Sequence, residues 1–292
     1  MIRLGIIGLS EGNGHPFSWS AIFNGYDETQ KQLSGEYPVI NAYLGKQSFP
    51  KDCIPNATVT HVWTQDKALS MKVAQFAKIK NIVDEYTDMI GHVDAILLAR
   101  DDAQHHFEMA KVFIEQGLPI YIDKPLAYSV AEAERIFSME QYPGQIFSCS
   151  AFKYAKEFMP SEVSHLGKIR MVNAKIIKNW KNYAIHLIDP ILQFVSGEVI
   201  ESVSNGDDVV SSLSLIFDSG VHLNLTTSKT NDFPIEIEVF GDQGYKRLTF
   251  QDTFFAFKAS LYDFIRIISK EKINNCKAEV LRAIAIVERG LQ

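Results

Sequence analysis

A chain of 292 residues that is 46% hydrophobic and 22% charged has room for two domains, each with its own core. Its formal net charge of −6 excludes an extended nucleic-acid surface, which needs a concentrated excess of lysine and arginine. No apolar run is long enough to span a bilayer, no basic amphipathic helix suggests a membrane surface, and the apolar stretch Ile2 to Gly8 is too short for a signal core. Cys53, Cys149 and Cys276 lie far apart and form no Cys-x-x-Cys pair, so neither a disulfide framework nor a metal site is expected, and the location expected is cytoplasmic.

Residues 2–7 read as a buried strand that ends at Gly8. A glycine-rich loop, Gly8 to His15, follows and leads into a helix from about Phe17. Strand, loop and helix start together make a cradle for an anion, because backbone N–H groups and the helix dipole both favour negative charge there. Gly8, Ser10, Gly12, Asn13 and Gly14 are the candidate phosphate contacts. Ser10 stands where the second glycine of G-x-G-x-x-G is required, so an ordinary turn explains the loop equally well.

Residues 25–55 read as an insertion in the first crossover, either covering the site or meeting another subunit, with a plain surface excursion as the alternative. The second strand runs from Val59 to Thr64 and is closed by Gln65 and Asp66. An acid there binds a ribose hydroxyl pair and repels a 2′-phosphate, favouring NAD over NADP; it also suits the N-cap of a helix at 67–78.

Short strands and helices continue to alternate. A strand at 82–83, a brief helix at 85–90 and a fully apolar strand, Val93 to Ala99, lead to a helix at about 103–116 that Gly117 stops. Next comes Pro119-Ile120-Tyr121-Ile122-Asp123-Lys124-Pro125. Three apolar or aromatic residues form a strand that Pro125 ends, so Asp123 and Lys124 are presented at its carboxyl end, where ligands bind in an open parallel sheet. A helix at 129–140 capped by Ser129 and a strand at 146–150 complete a doubly wound α/β domain over residues 1–150.

These motifs resemble the Gfo/Idh/MocA family of NAD(P)-dependent oxidoreductases, which act mainly on sugars, polyols and nucleotide sugars. The resemblance rests on the first strand with its glycine loop, on Ala99 to Ala110 with His106, and on Gly117 to Ala127, where Asp123-Lys124-Pro125 stands for the family's Glu-Lys-Pro. It implies a Rossmann-like first domain, a lysine, Lys124, beside the nicotinamide and the reacting carbon, and a Lys-Pro bond that is often cis. Asp101, His106 and Asp123 are then candidate cofactor contacts, although acids at a helix N-terminus and a core histidine have ordinary structural explanations too.

Residues 151–292 change character. A helix at 157–166 is followed by a strand at 169–176 and by strands at about 199–204, 209–217, 220–228, 234–240 and 245–250, with a turn at Asn205-Gly206. This is an α+β domain on one large, mostly antiparallel open sheet, and the resemblance implies a homodimer or homotetramer through that sheet. Lys153 and Tyr154 resemble the family's Arg-Tyr at the substrate cleft.

The stretch Asn182 to Asp189 resembles the family's Asp-x-Gly-x-His with an acid three residues on, except that Asn182 replaces the acid and Ala184 the glycine. His186 is the candidate general base, Asn182 and Asp189 are candidate substrate contacts, and Lys178 and Lys181 could meet a phosphate or carboxylate. Helices at 255–269 and 277–290 close the chain with apolar residues at core spacing. The expected activity is hydride transfer between NAD, or NADP, and a hydroxyl or carbonyl carbon of a small sugar-like substrate. Transient oxidation during epimerisation or elimination is a second enzymatic reading, and a nucleotide- or sugar-binding protein that has lost catalysis is the competing one.

Overall fold

The computed structural model describes residues 1–230 and 233–291, and it divides into two compact units. The first takes in Met1–Leu126, Glu134–Ser148 and Lys258–Lys277; the second takes in Ala127–Ala133, Cys149–Phe257 and Ala278–Gln292.

In chain order the first unit supplies β1 (Ile2–Ile7), α1 (His15–Asn24), α2 (Pro38–Leu44), β2 (Ala57–Trp63), α3 (Lys67–Phe76), β3 (Asn81–Ile82), β4 (Ala95–Leu98), α4 (His106–Ile114) and β5 (Ile120–Ile122). Helix α5 (Val130–Phe137) and β6 (Ile146–Phe147) follow. All six strands are parallel, in the order β3-β2-β1-β4-β5-β6. The chain winds outward from β1 in one direction and from β4 in the other. The gap between their carboxyl ends is therefore the switch point at which open α/β sheets bind ligands.

The middle strands are buried on both faces, as their apolar runs require: Leu4, Ile6, Ile7 and all of β4 have no exposed surface. Beneath β5 the core is aromatic. Tyr121 has ring centroids 4.8 Å from Trp19, 4.8 Å from Phe147 and 5.6 Å from Phe264. Phe264 comes from far along the chain, in the segment Lys258–Lys277 that belongs to this unit.

The insertion packs against the first helix. Asp27 caps a 3-10 helix, Glu28–Ser34, and α2 buries Ile40, Tyr43 and Leu44, with the Tyr43 hydroxyl bonded to Ser18 Oγ. The brief helix expected at 85–90 is a single 3-10 turn, Tyr86–Met89, closed by reciprocal bonds of Glu85 and Asp88.

The second unit contains β7 (Ile169–Ile177), α6 (Trp180–Tyr183), α7 (Ile185–Ile191), β8 (Val199–Gly206), β9 (Val210–Phe217), β10 (His222–Ser228), β11 (Glu236–Gly241) and β12 (Gly244–Thr249). Helices α8 (Thr253–Ile268) and α9 (Cys276–Arg289) end the chain. The sheet order is β12-β11-β7-β10-β9-β8, antiparallel except where β10 runs beside β7. Two expectations are corrected. Asn205 and Gly206 pair within β8, and the turn falls two residues later, where Asp207 Oδ1 accepts the N–H groups of Val209 and Val210. Residues 157–166 form successive 3-10 turns rather than one helix, because Met159, preceding Pro160, is held extended at φ −63°, ψ 144°.

Truncating the aromatic cluster tests whether α8 is structural for the first unit. Phe264→Ala should destabilise it by about 3–5 kcal/mol, read from the urea unfolding midpoint, and a loss under about 1 kcal/mol would contradict the assignment.

Candidate functional site

The first cluster lies at the carboxyl ends of β1, β4 and β5. Gly8 ends β1 with its N–H on Trp63 O at 3.0 Å, and Gly12 follows at φ +74°, where a side chain would be strained. Gly14 must lack a side chain for another reason: a Cβ there would lie 2.5 Å from Ile40 and 2.6 Å from Tyr37 of the insertion. Helix α1 starts at once, with no acid in its first turn, and the side chain of Asn13 accepts the N–H of His15, its first residue, at 2.8 Å. The positive end carries no negative charge from the helix's own residues, as an anion cradle requires.

Two carboxylates stand in this crevice, and the Asn13 side chain reaches both. Asp101, just past β4, accepts the Ser10 hydroxyl at 2.6 Å on Oδ1, and its Oδ2 is 3.5 Å from Lys124 Nζ. Ser10, read as a departure from the glycine pattern, is thus the residue that joins the loop to β4. Burial pushes the Asp101 carboxyl up, but the Lys124 ammonium and the Ser10 hydroxyl together pull it further down, so it stays ionised below the usual carboxylate range. Asp123 accepts Asn13 Nδ2 at 3.0 Å and His15 Nδ1 at 2.5 Å on Oδ2, and its Oδ1 takes the Lys124 N–H at 2.8 Å. Lys124 is only 4% exposed, and its bond to Pro125 is cis.

Beside these, Gln65 Oε1 accepts Leu9 N–H at 2.9 Å and Arg100 Nη1 at 3.2 Å, tying the ends of β1, β2 and β4 together. Asp66 caps α3 by accepting the Ala68 N–H at 2.7 Å, so one of its oxygens is engaged by the helix. Arg100 is paired with both oxygens of Asp102, at 2.9 and 2.5 Å. His106 does not face the crevice: it is fully buried, with Nδ1 2.9 Å from Leu126 O and Nε2 2.8 Å from Arg100 O. It ties the segments of Arg100 and Leu126 together, and burial holds its imidazole below the ordinary range.

The second cluster lies in the second unit, around α6 and α7. Asn182 Oδ1 accepts the Tyr128 hydroxyl at 3.0 Å, and the Lys181 ammonium sits 3.9 Å from the centre of the same Tyr128 ring. Lys178 Nζ donates to the Tyr183 hydroxyl at 2.5 Å. His186 Nδ1 is 2.7 Å from Ser150 Oγ, and one turn on, Asp189 Oδ2 accepts the Ser150 N–H at 2.5 Å. Lys153 is paired with Glu279, and Tyr154 is half-buried at the end of the 3-10 turn Ala151–Tyr154. Burial opposes the charge on Lys153, but its bond to Glu279 and the nearby Asp189 outweigh that and hold it protonated.

Sequence reasoning missed Arg100, His15, Tyr128, Ser150 and Glu279. Arg100 could have been found, since it follows an apolar parallel strand just as Asp123 and Lys124 do. The rest gave no signal, because their partners are 36 to 126 residues away.

Burial pushes the Asp189 carboxyl up to about 6, against the opposing pull of the Ser150 N–H and Lys153. Between its unfolded value of 3.8 and about 6 the folded protein therefore binds more protons at this site than the unfolded chain, and this contribution to stability is lost as pH rises. Asp189→Asn should become more stable relative to wild type by about 1–3 kcal/mol between pH 4 and pH 7.5 in urea titrations, and a flat difference would refute the burial account.

The cradle fits a dinucleotide: an open glycine loop, a helix start with no acid in its first turn and a buried ammonium meet at a sheet switch point. Among solved structures the chain is similar to myo-inositol 2-dehydrogenase from Lactobacillus plantarum, with 16% identity, TM-score 0.76, and 98% of this chain and 95% of that one covered. It is also similar to UDP-N-acetylglucosamine 3-dehydrogenase from Acidithiobacillus ferrooxidans, with 16% identity, TM-score 0.73, and 100% and 99% covered. A third, the apo scyllo-inositol dehydrogenase of Lactobacillus casei, matches at 12% identity and TM-score 0.73 over 99% and 96%. At such identities these likenesses establish the fold. No curated protein sequence matches. The family model described as an oxidoreductase family with an NAD-binding Rossmann fold matches residues 2–150. The chain belongs to that family, the Gfo/Idh/MocA oxidoreductases, and NAD(P) is its expected cofactor.

Proposed function

We propose that the chain is an NAD(P)-dependent dehydrogenase or reductase of a sugar, polyol or nucleotide sugar, working at a hydroxyl or carbonyl carbon. The observation that carries this reading is Lys124: an ammonium, almost wholly enclosed, held 3.5 Å from Asp101 at the switch point of the parallel sheet. The inositol and nucleotide-sugar dehydrogenases of the same fold support the substrate class. When bound, the nicotinamide supplies the hydride acceptor or donor. The chain's own residues do the rest. Ser10, Asn13 and the loop glycines receive the phosphates, while Gln65 and Asp66 face the adenosine ribose, which favours NAD.

Lys124 takes the role of polarising a substrate oxygen, and His186 the role of general base. Asn182 and Asp189, with Lys153 and Tyr154, orient the remaining hydroxyls. The reading extends to a homodimer or homotetramer through the second sheet, which sedimentation velocity would measure.

A second reading, a binding protein without turnover, is favoured by Asn182. A carboxylate at that position could stabilise an imidazolium, whereas the amide accepts a hydrogen bond from Tyr128 with the Lys181 cation on the same ring. One set of experiments separates the two. Calorimetric titration with NADH and NADPH should show tight binding of NADH, and initial rates with inositols and nucleotide sugars, followed by NADH absorbance, should show turnover. Lys124→Met should lower kcat by about 10²–10⁴-fold while nucleotide binding persists. Folded protein that binds neither nucleotide would remove the dehydrogenase reading. Nucleotide binding without turnover, with Asn182→Asp creating it, would establish the second.

A further inference from the structure

The geometry points to Ser150 as the positioning residue that decides where His186 carries its proton. The inference rests on the assignment of His186 to the reacting oxygen made above. Ser150 has no exposed surface and is held at three points: its N–H is on Asp189 Oδ2, its carbonyl accepts the Lys153 N–H at 3.1 Å, and its Oγ accepts the Phe152 N–H at 3.2 Å. A hydroxyl has one proton to give and two lone pairs to receive with. One lone pair is taken by Phe152. The proton needs an acceptor, and among the described residues the acceptor within its reach is His186 Nδ1, 2.7 Å away.

The opposite arrangement, with Nδ1–H donating to Oγ, would leave the serine proton enclosed without a partner, which is the costly outcome for a buried polar group. The ring has little freedom to turn away from this bond. It is 5% exposed and packs against Phe152, with centroids 4.5 Å apart, and Tyr183, at 5.5 Å. Neutral His186 therefore carries its proton on Nε2.

The consequence is chemical. A neutral ring of this kind meets a substrate oxygen as a hydrogen-bond donor, the arrangement that suits a carbonyl. To accept a proton at Nε2 from a hydroxyl, the ring must first carry its proton on Nδ1, and the Ser150 hydroxyl must rotate to receive it. Ser150 can do both, since its hydroxyl is a donor and an acceptor on one rotor. Alanine can do neither.

The test uses the full chain labelled with nitrogen-15 in histidine, the His186 signals being assigned by their loss in His186→Asn. At about pH 9, where an ordinary imidazole is neutral, Nδ1 should resonate as an unprotonated nitrogen and Nε2 as a protonated one. In Ser150→Ala both signals should move toward the average of the two tautomers, and Ser150→Thr should restore the wild-type pattern. An unchanged near-ultraviolet circular dichroism spectrum checks that each variant is folded. Where the enzyme turns over, Ser150→Ala should lower kcat about tenfold with KM nearly unchanged. Protonated Nδ1 in the wild type, signals that Ser150→Ala leaves in place, or an unaltered kcat would each overturn the inference. Absence of turnover in the wild type would instead remove the dehydrogenase reading, and the ring spectrum alone would then decide the role of Ser150.

Discussion

The first unit is built around one ion pair, Lys124 with Asp101, held where two parallel strands end side by side. Neither residue is more than 6% exposed, and the Lys124 ammonium is the main pull that keeps the Asp101 carboxyl ionised against burial. Everything around the pair serves its placement. Strands β4 and β5 are adjacent, which brings residue 101 opposite residue 124. Ser10 ties the pair to the glycine loop, and Asn13 and His15 hold Asp123 beside it. The aromatic cluster of Trp19, Tyr121, Phe147 and Phe264 forms the base on which β5 rests. A buried ammonium so constrained costs solvation and gains little net stability from its partner. Its retention at a switch point is better explained by what it does to a ligand than by what it does for the fold.

The second unit uses a neutral version of the same strategy. Ser150 offers its N–H to Asp189 and its hydroxyl to His186, two groups one helical turn apart on α7. The raised Asp189 carboxyl shows that its hydrogen bond does not fully offset burial. Nearby, the Lys153–Glu279 pair is an ion pair that does hold its lysine charged. The two outcomes differ because Lys153 faces two carboxylates, whereas Asp189 has one N–H and a lysine already committed to Glu279.

The fold was legible in the sequence to the extent that its signals were local. Apolar strands alternating with helices gave the parallel sheet, and Pro125 marked the end of β5 to within three residues, because proline removes a donor and fixes the backbone. The strands of the second sheet were readable from their turns. What misled was chemistry that acts between neighbours. Asn205-Gly206 has the composition of a hairpin turn, yet Asp207 captures the following N–H groups and moves the turn past it. The run at 157–166 has helical composition, but Met159 must be extended before Pro160. At the site, Lys124, Asp123 and His186 could be named from motif position. Asp101 was named as a cofactor contact and not as the partner of Lys124, and His15 and Ser150 were not named, since these pairings exist only once the fold brings distant segments together.

Asn182 shows why position in a motif is not enough to assign a role. At the position where the family pattern has a carboxylate, the amide can donate and accept but cannot neutralise an imidazolium. The structure surrounds it with Tyr128 and Lys181, a hydroxyl donor and a cation gathered on one aromatic ring. With a carboxylate at 182, the Tyr128 hydroxyl would make a charge-assisted bond, tightening the cluster. With the amide, the positive charge of Lys181 stays unneutralised by residue 182. Residue 182 thus gives Tyr128 an acceptor and brings no charge, and the Ser150 hydroxyl is the group that sets where His186 carries its proton.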